Sequence, residues 1–230
     1  MPSLPPVTKS LILACVVVFC LQQFVPLENW FALYSLGSGQ FMPWQLVSYA
    51  FLHASVPHLF FNMLMLWMFG AELEQVWGPR RYLQYLGAGV LAAAVGQLLV
   101  AMLMGSASET LGASGGIYAL LLAYALVLPG RRFDLVGFLP MLLLMLPSTA
   151  LNVLGLLLYF ALLTNRQAVP IPPVVVPARV MVIALGSIEL VMGLFGRDGI
   201  AHFAHLGGMA GGYLMILYWR NTRPAGRRRR

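Results

Sequence analysis

Charged side chains are what this sequence has least of. They make up 9% of its 230 residues, against 60% apolar ones, where a soluble domain carries about 25% charge. That scarcity excludes a soluble globular protein and points to a polytopic membrane protein. A span needs about 20 mainly apolar residues, so the length allows six or seven helices in one bundle and no separate domains. Cysteine is almost missing too. Cys15 and Cys20 lie on one predicted helix, face different directions and cannot easily bridge, so they read as small apolar side chains. No small-x-small cleavage site follows the first apolar run, where Pro26-Leu27-Glu28 succeeds Ser10 to Val25. The run therefore stays as a helix and not a signal peptide. No folded basic domain accompanies Arg227 to Arg230, which argues against a nucleic-acid partner. Those arginines read as a topology anchor that also touches anionic lipid.

Acids are the rarer charge, and the net charge is +7. Lys9 precedes the first apolar run, Arg80 with Arg81 follow the second, Arg131 with Arg132 follow the fourth, and Arg220, Arg223 and Arg227 to Arg230 follow the last. Placing them on one side satisfies the positive-inside rule. Both termini are then cytoplasmic, and Glu28, Glu109 and the Arg197-Asp198 pair are outside. Spans are expected near 8–25, 58–77, 81–104, 114–128, 178–196 and 202–220. The loop 26–57 carries Trp30, Phe31, Tyr34, Phe41, Trp44 and Tyr49 and is expected partly in the outer interface. Residues 133–177 are apolar but broken by Pro140, Pro147, Pro172, Pro173 and Pro177. For Ser114 and His205 to meet at one face, an odd number of crossings must lie between the end of the fourth span and His202, and 178–196 supplies one. The expectation is a re-entrant or interfacial helical insert over 133–177, beginning and ending on the cytoplasmic side. The alternative makes 135–163 the fifth span and 174–196 the re-entrant piece.

Two polar residues stand inside apolar stretches: Ser114 in Gly112-Ala113-Ser114-Gly115-Gly116, and His205 in Ala204-His205-Leu206-Gly207-Gly208. At membrane depth such groups are costly unless paired or useful. A serine hydroxyl becomes a nucleophile when a base within hydrogen-bond reach removes its proton. Gly112 and Gly115 let the backbone approach a neighbouring helix and a reacting carbonyl. Ser114, opening a helix, has an unpaired amide available to an anionic oxygen. The plainer alternative is a serine in a small-residue helix interface. No strand-like run precedes Gly112-x-Ser114-x-Gly116, which excludes the strand-to-helix elbow of soluble hydrolases. His205, Gly208 and Gly212 share one helix face, for which the 114–128 span is the natural partner. His202 is a competing base without glycines at that spacing. His58 and Asn62, at i and i+4, share a side near the outer end of the second helix. Their N–H groups suit an oxyanion hole together with the Ser114 amide. No carboxylate takes an obvious third role, because nothing fixes where Glu189 points, so a Ser–His dyad is expected. Glu72 and Glu74, beside Arg80 and Arg81, read as a structural tie. The four histidines lack a Cys or carboxylate companion, so no metal and no cofactor is expected.

Together these residues resemble the rhomboid family of intramembrane serine proteases. The likeness covers roughly 40–132 and 174–220 and rests on His53, His58 and Asn62, on Gly70, Glu74 and Gly78, on Gly112-Ala113-Ser114-Gly115 with Tyr118, and on Ala204-His205 with Gly208 and Gly212. It implies an all-α polytopic membrane protein with a six-helix bundle, here with an apolar helical insert between the fourth and fifth core helices. It implies one membrane domain over 1–220 and a basic cytoplasmic tail over 221–230. Ser114 would be the nucleophile and His205 the base. His58, Asn62 and the Ser114 amide would hold the oxyanion, Tyr118 would stack on His205, and Glu74 would be structural. Substrates would be membrane-anchored proteins cut near the outer face of the bilayer, in a multi-pass protein of the bacterial inner membrane. Where many members have Trp-Arg in the first loop, this chain has Trp44-Gln45, and an arginine contact is missing. A catalytically inactive, client-binding relative is the alternative, but such proteins typically lose the serine or histidine that this chain keeps. The sequence leaves the oligomeric state open.

Overall fold

The computed structural model describes residues 4–106, 108–144, 148–196 and 201–222. Pro147, the Arg197-Asp198 pair and the tail from Arg223 onward lie outside the described residues. Eight helices organise what is described: α1 Pro6–Gln22, α2 Val56–Trp77, α3 Pro79–Met104, α4 Ser114–Val127, α5 Leu139–Leu144, α6 Thr149–Thr164, α7 Ala178–Phe195 and α8 His202–Asn221. Of these, α2, α3 and α7 are long and apolar enough to cross a membrane. The expected all-α architecture gains two short antiparallel pairs. In the first, β1 Leu33–Tyr34 lies against β2 Glu109–Thr110; in the second, β3 Arg132–Asp134 lies against β4 Val175–Pro177.

The residues form two compact units, one running to Tyr124 and resuming at Leu185, the other Ala125–Ala184. In the second unit the β3–β4 pair brings the two ends of the intervening chain together, with Phe133 opposite Val176. Asp134 secures that junction. Its carboxylate accepts from the Val136 and Val174 amides, each at 3.1 Å, and from Arg166 Nε at 2.9 Å. Inside this unit, α5 packs against α6, and α6 starts where Ser148 caps the Leu151 amide.

In the first unit, α2 is interrupted by a π segment over Leu66–Gly70. Asn62 and Glu74 on a straight α-helix would point about 120° apart. The π segment underwinds the helix and narrows that angle, so both side chains are buried. Glu74 then caps α1: its carboxylate accepts from the amides of Val7 (3.0 Å) and Thr8 (2.7 Å) and from the Thr8 hydroxyl (2.8 Å). These are the orphan donors of a helix start, met by a negative charge where the helix dipole favours one. Glu72 serves a different neighbour, accepting from Tyr124 OH at 2.7 Å.

The longest helix, α3, is the spine against which α8 packs. A Cβ on Gly207 would lie 2.7 Å from the Ala92 carbonyl oxygen, and one on Gly211 would strike Ala92 Cβ. Only glycine allows that approach. The other glycine face of α8 meets α4: Gly208 abuts the Gly115 carbonyl, and Gly212 abuts Ala119 and the Tyr85 ring. The α4 contact of Gly208 and Gly212 is the one expected from their spacing; the Gly207 and Gly211 face on α3 is an additional one. The aromatic loop also divides. Trp30 and Trp44 are exposed, whereas Tyr49 is fully buried and donates to the Val90 carbonyl at 2.8 Å. Tyr49 is thus a core residue and not an interfacial anchor.

Candidate active site

The chain reaches Ser114 through a clamped approach. β2 is held by β1, the Gly112 amide donates to the Tyr49 carbonyl at 2.9 Å, and α4 starts at Ser114. Gly112 has φ +119, a conformation that L side chains rarely adopt. Its missing side chain also matters. A Cβ there would sit 2.8 Å from His58 Nε2 and 3.9 Å from Ser114 Oγ. The glycine therefore keeps open a small space between an imidazole N–H and the serine hydroxyl.

His205 arrives from α8, delivered by the Gly208–Gly115 contact one turn further along. Its Nε2 lies 2.7 Å from Ser114 Oγ, a hydrogen bond between side chains far apart in sequence. Tyr118, one turn past Ser114, lies flat on the His205 ring, with centroids 4.3 Å apart and planes 7° from parallel. The stack leaves the imidazole one plane in which to sit. Ser114 and Tyr118 are half-buried, whereas His205 is buried.

His58 is half-buried at the start of α2. Its Nδ1 accepts from the Ala54 amide at 3.3 Å, so the proton of the neutral ring is on Nε2. That N–H faces the space before Gly112. Asn62 donates one N–H to the His58 carbonyl at 2.9 Å, leaving the second uncommitted among the described residues. The structure thus groups Ser114, His205, Tyr118, His58, Gly112, Gly115 and Gly208, while Asn62 lies one turn behind His58 and Gly212 one turn below Gly208. Glu74 is elsewhere, on α1. His53, in the loop before α2, packs edge-on against His58 at 5.1 Å. Burial, with His58 adding to it, pushes the His53 imidazole down to about 4.

From sequence alone no carboxylate is expected near the pair, because nothing there fixes where Glu189 points. In the structure Glu189 Oε2 is 2.6 Å from His202 Nδ1 and 2.9 Å from His205 Nδ1, and Tyr118 OH donates to Oε1. The contact to His202 is a hydrogen bond; that to His205 is a close ion-pair approach without hydrogen-bond alignment. A signal was present: a lone acid in the middle of an apolar span is a functional residue by default. Its rotation about the α7 axis was what local sequence could not supply. Gln45, at the position where the sequence lacks an arginine, is fully buried. Its amide oxygen accepts from the Tyr34 (3.3 Å) and Met42 (3.1 Å) amides, and its nitrogen donates to the Gln40 carbonyl at 3.0 Å. An uncharged amide thus knits the 26–57 loop from within.

The chemistry available is that of a serine made nucleophilic by an imidazole, facing a donor pair suited to a developing oxyanion. Comparison with known proteins gives the family. A family model, the rhomboid domain, matches residues 40–159 and 152–222. The rhomboid protease GlpG of Klebsiella pneumoniae subsp. pneumoniae is 32% identical over 125 residues, covering 50% of this chain and 41% of that protein. The rhomboid protease GlpG of Yersinia enterocolitica is 30% identical over 119 residues, again 50% of this chain and 41% of the relative. That of Yersinia pestis is 29% identical over 120 residues with the same coverage. The matched stretch is 41% of the length of these curated relatives.

Proposed function

Since the chain belongs to the rhomboid family, we propose that it is an intramembrane serine endopeptidase that cleaves membrane-anchored proteins near the outer face of the bilayer. One observation carries the reading: the 2.7 Å hydrogen bond between Ser114 Oγ and His205 Nε2. Ser114 Oγ attacks the scissile carbonyl as His205 Nε2 takes its proton. The oxyanion is held by His58 Nε2–H and the Ser114 amide, with Asn62 supplying its second N–H. The imidazolium then gives its proton to the leaving amine, and an acyl-enzyme forms on Ser114. Water enters and gives a proton to His205 as its oxygen attacks the acyl carbon, and His205 returns that proton to Ser114 Oγ as the acyl–Oγ bond breaks and the acid leaves. Ser114 and His205 are the reacting dyad, and the Glu189 carboxylate beside Nδ1 stabilises the imidazolium. The stacked Tyr118 ring sets its plane.

The scaffold of this reaction is a six-helix core made of α1, α2, α3, α4, α7 and α8. Residues 133–177 form an apolar insert whose ends meet on the cytoplasmic side, in one membrane domain over 1–220. Pairing of β3 with β4 supports an insert that leaves and returns at one point. The alternation of Lys and Arg clusters supports cytoplasmic termini, with 221–230 as a basic tail, in a bacterial inner membrane. The test is cleavage of a single-span substrate by purified protein in liposomes. Ser114→Ala and His205→Ala should each abolish it while the helical content is unchanged, and a fluorophosphonate should label Ser114 in the active protein. Undiminished cleavage by Ser114→Ala overturns the mechanism. A wild-type protein that binds membrane clients without cutting them indicates the inactive, client-binding alternative.

A further inference from the structure

His202 and His205 stand one turn apart on the same side of α8, and both turn Nδ1 toward one carboxylate oxygen of Glu189 on α7. The three candidate ligand atoms lie within 4.8 Å of one another. All three residues are buried, at 6% (Glu189), 7% (His202) and 8% (His205) relative exposure. His205 Nδ1 is shut off from solvent, and although Glu189 Oε2 is 2.9 Å away it has no aligned hydrogen-bond partner among the described residues, a costly state for an imidazole nitrogen. The second carboxylate oxygen is held by Tyr118 OH, which fixes Oε2 toward the imidazoles as an outer-shell donor fixes a metal ligand.

We infer that Glu189, His202 and His205 bind a zinc-class divalent cation, and that its binding switches off the Ser114–His205 pair. Two imidazoles and one carboxylate are a common three-ligand set for zinc, with the fourth position left to water. Nitrogen donors select zinc, cobalt or copper over magnesium and calcium. Zinc bonds of about 2.0–2.2 Å place neighbouring tetrahedral ligand atoms about 3.3 Å apart. The present 2.6 and 2.9 Å separations need to open by about 0.7 and 0.4 Å, within the reach of side-chain rotation. The cation takes the Nδ1 lone pair of His205. The one ring proton must then sit on Nε2, facing Ser114 Oγ as a donor, and the lone pair that would accept the serine proton is gone. The inhibitory consequence rests on the catalytic reading above; the binding of the cation does not.

The experiment uses the full chain in detergent, freed of metal. Zinc bound per chain is counted after gel filtration for the wild type and for Ser114→Ala, and Co2+ absorption reports tetrahedral coordination. One zinc per chain on both proteins is expected, with His202→Gln and Glu189→Gln each weakening binding by more than about 100-fold, the upper range for loss of an outer-shell partner. Zinc should stop wild-type cleavage, EDTA should restore it, and Mg2+ at the same concentration should do neither. Inhibition of His202→Gln, relative to its own zinc-free rate, should need at least tenfold more zinc. Failure of Ser114→Ala to retain zinc, or binding indifferent to both ligand substitutions, overturns the site. Site-dependent binding without loss of cleavage overturns the switch. A wild type that never cleaves defeats the catalytic reading alone, since the zinc count still decides the site.

Discussion

Gly208→Ala tests the geometry that brings the serine and histidine together. A Cβ at Gly208 would strike the Gly115 carbonyl oxygen and lie 2.8 Å from its carbon and 3.3 Å from Gly115 Cα, where ordinary contact is 3.4–4 Å. Every one of those atoms is backbone, so no side chain can yield. The helices α8 and α4 must part, and the separation falls between the turns bearing His205 and Ser114. Overpacking of this kind costs about 1–3 kcal/mol, a loss the bundle can absorb. Catalysis is less tolerant, because a displacement of about 1 Å can cost about 100-fold. The expected result is a melting temperature lowered by a few degrees and kcat reduced about 100-fold with KM little changed. Gly186→Ala is the control, since its Cβ would meet only the flexible end of Met209 at 3.4 Å; its activity should be that of the wild type. The readouts are cleavage of a fluorogenic single-span substrate and thermal unfolding on the same preparations. Wild-type kcat in Gly208→Ala would show that Ser114 and His205 do not depend on this contact, and the account of their positioning would fail.

His58→Ala should lower kcat by about 100- to 1,000-fold, the usual loss for one oxyanion donor, with Ser114 still labelled by a fluorophosphonate, though slowly. Glu74→Gln should act on stability and not on chemistry. It removes the charge that meets the Val7 and Thr8 donors, worth about 1–3 kcal/mol for a charged hydrogen-bonding group, and should lower the unfolding midpoint while kcat stays within twofold. Burial acts upward on Asp134, but the Arg166 hydrogen bond and the Val136 and Val174 amides outweigh it, leaving its carboxyl below the ordinary 3.8. A lowered folded-state value gives stability that is present above the unfolded value and lost as pH falls through the folded one. Acidification below pH 4 should therefore speed amide exchange at Val136 and Val174, and Asp134→Asn should show the fast exchange already at pH 7.

The readable part of this protein was the part governed by composition and short-range period. Helices from Pro6, Val56, Pro79, Ser114, Ala178 and His202 follow from apolar runs and, at several of them, from proline or serine at the helix start. The meeting of Ser114 with His205 was legible because glycines at i+3 and i+7 leave a helix only one kind of close neighbour. What failed was rotation and long-range pairing. Nothing near Glu189 in sequence says that α7 turns it toward α8, since most neighbours on that helix are apolar all round. The π segment at Leu66–Gly70 was equally hidden, because a run of Leu, Trp, Met and Phe carries no mark of an extra residue in the turn. Gln45 was noticed only as a missing arginine. Its buried hydrogen bonds go to the backbone of Tyr34, Gln40 and Met42, partners that no side-chain motif announces.

Glu74 and Glu189 are both buried in the same helical unit, and the difference between them lies in what surrounds each oxygen. Glu74 accepts from two backbone amides and a hydroxyl, donors that belong to one helix end and have no alternative partner. Its negative charge is therefore permanently committed, and any change there loosens α1 without altering a reacting atom. Glu189 has one oxygen fixed by Tyr118 and one divided between two imidazoles, only one of which is aligned to hydrogen-bond. A buried polar network in which one member is left unaligned is costly, and a second arrangement, with Oε2 turned to His205, uses the same groups. The nearness of His205 Nδ1 makes that second arrangement consequential, because whatever occupies Nδ1 decides whether Nε2 is a base. Substituting His202 removes the competitor for Oε2, and the two roles then separate. If the carboxylate serves only to steady His205, His202→Gln should cleave as fast as the wild type or faster. If His202 holds Glu189 in place, kcat should fall and KM should not.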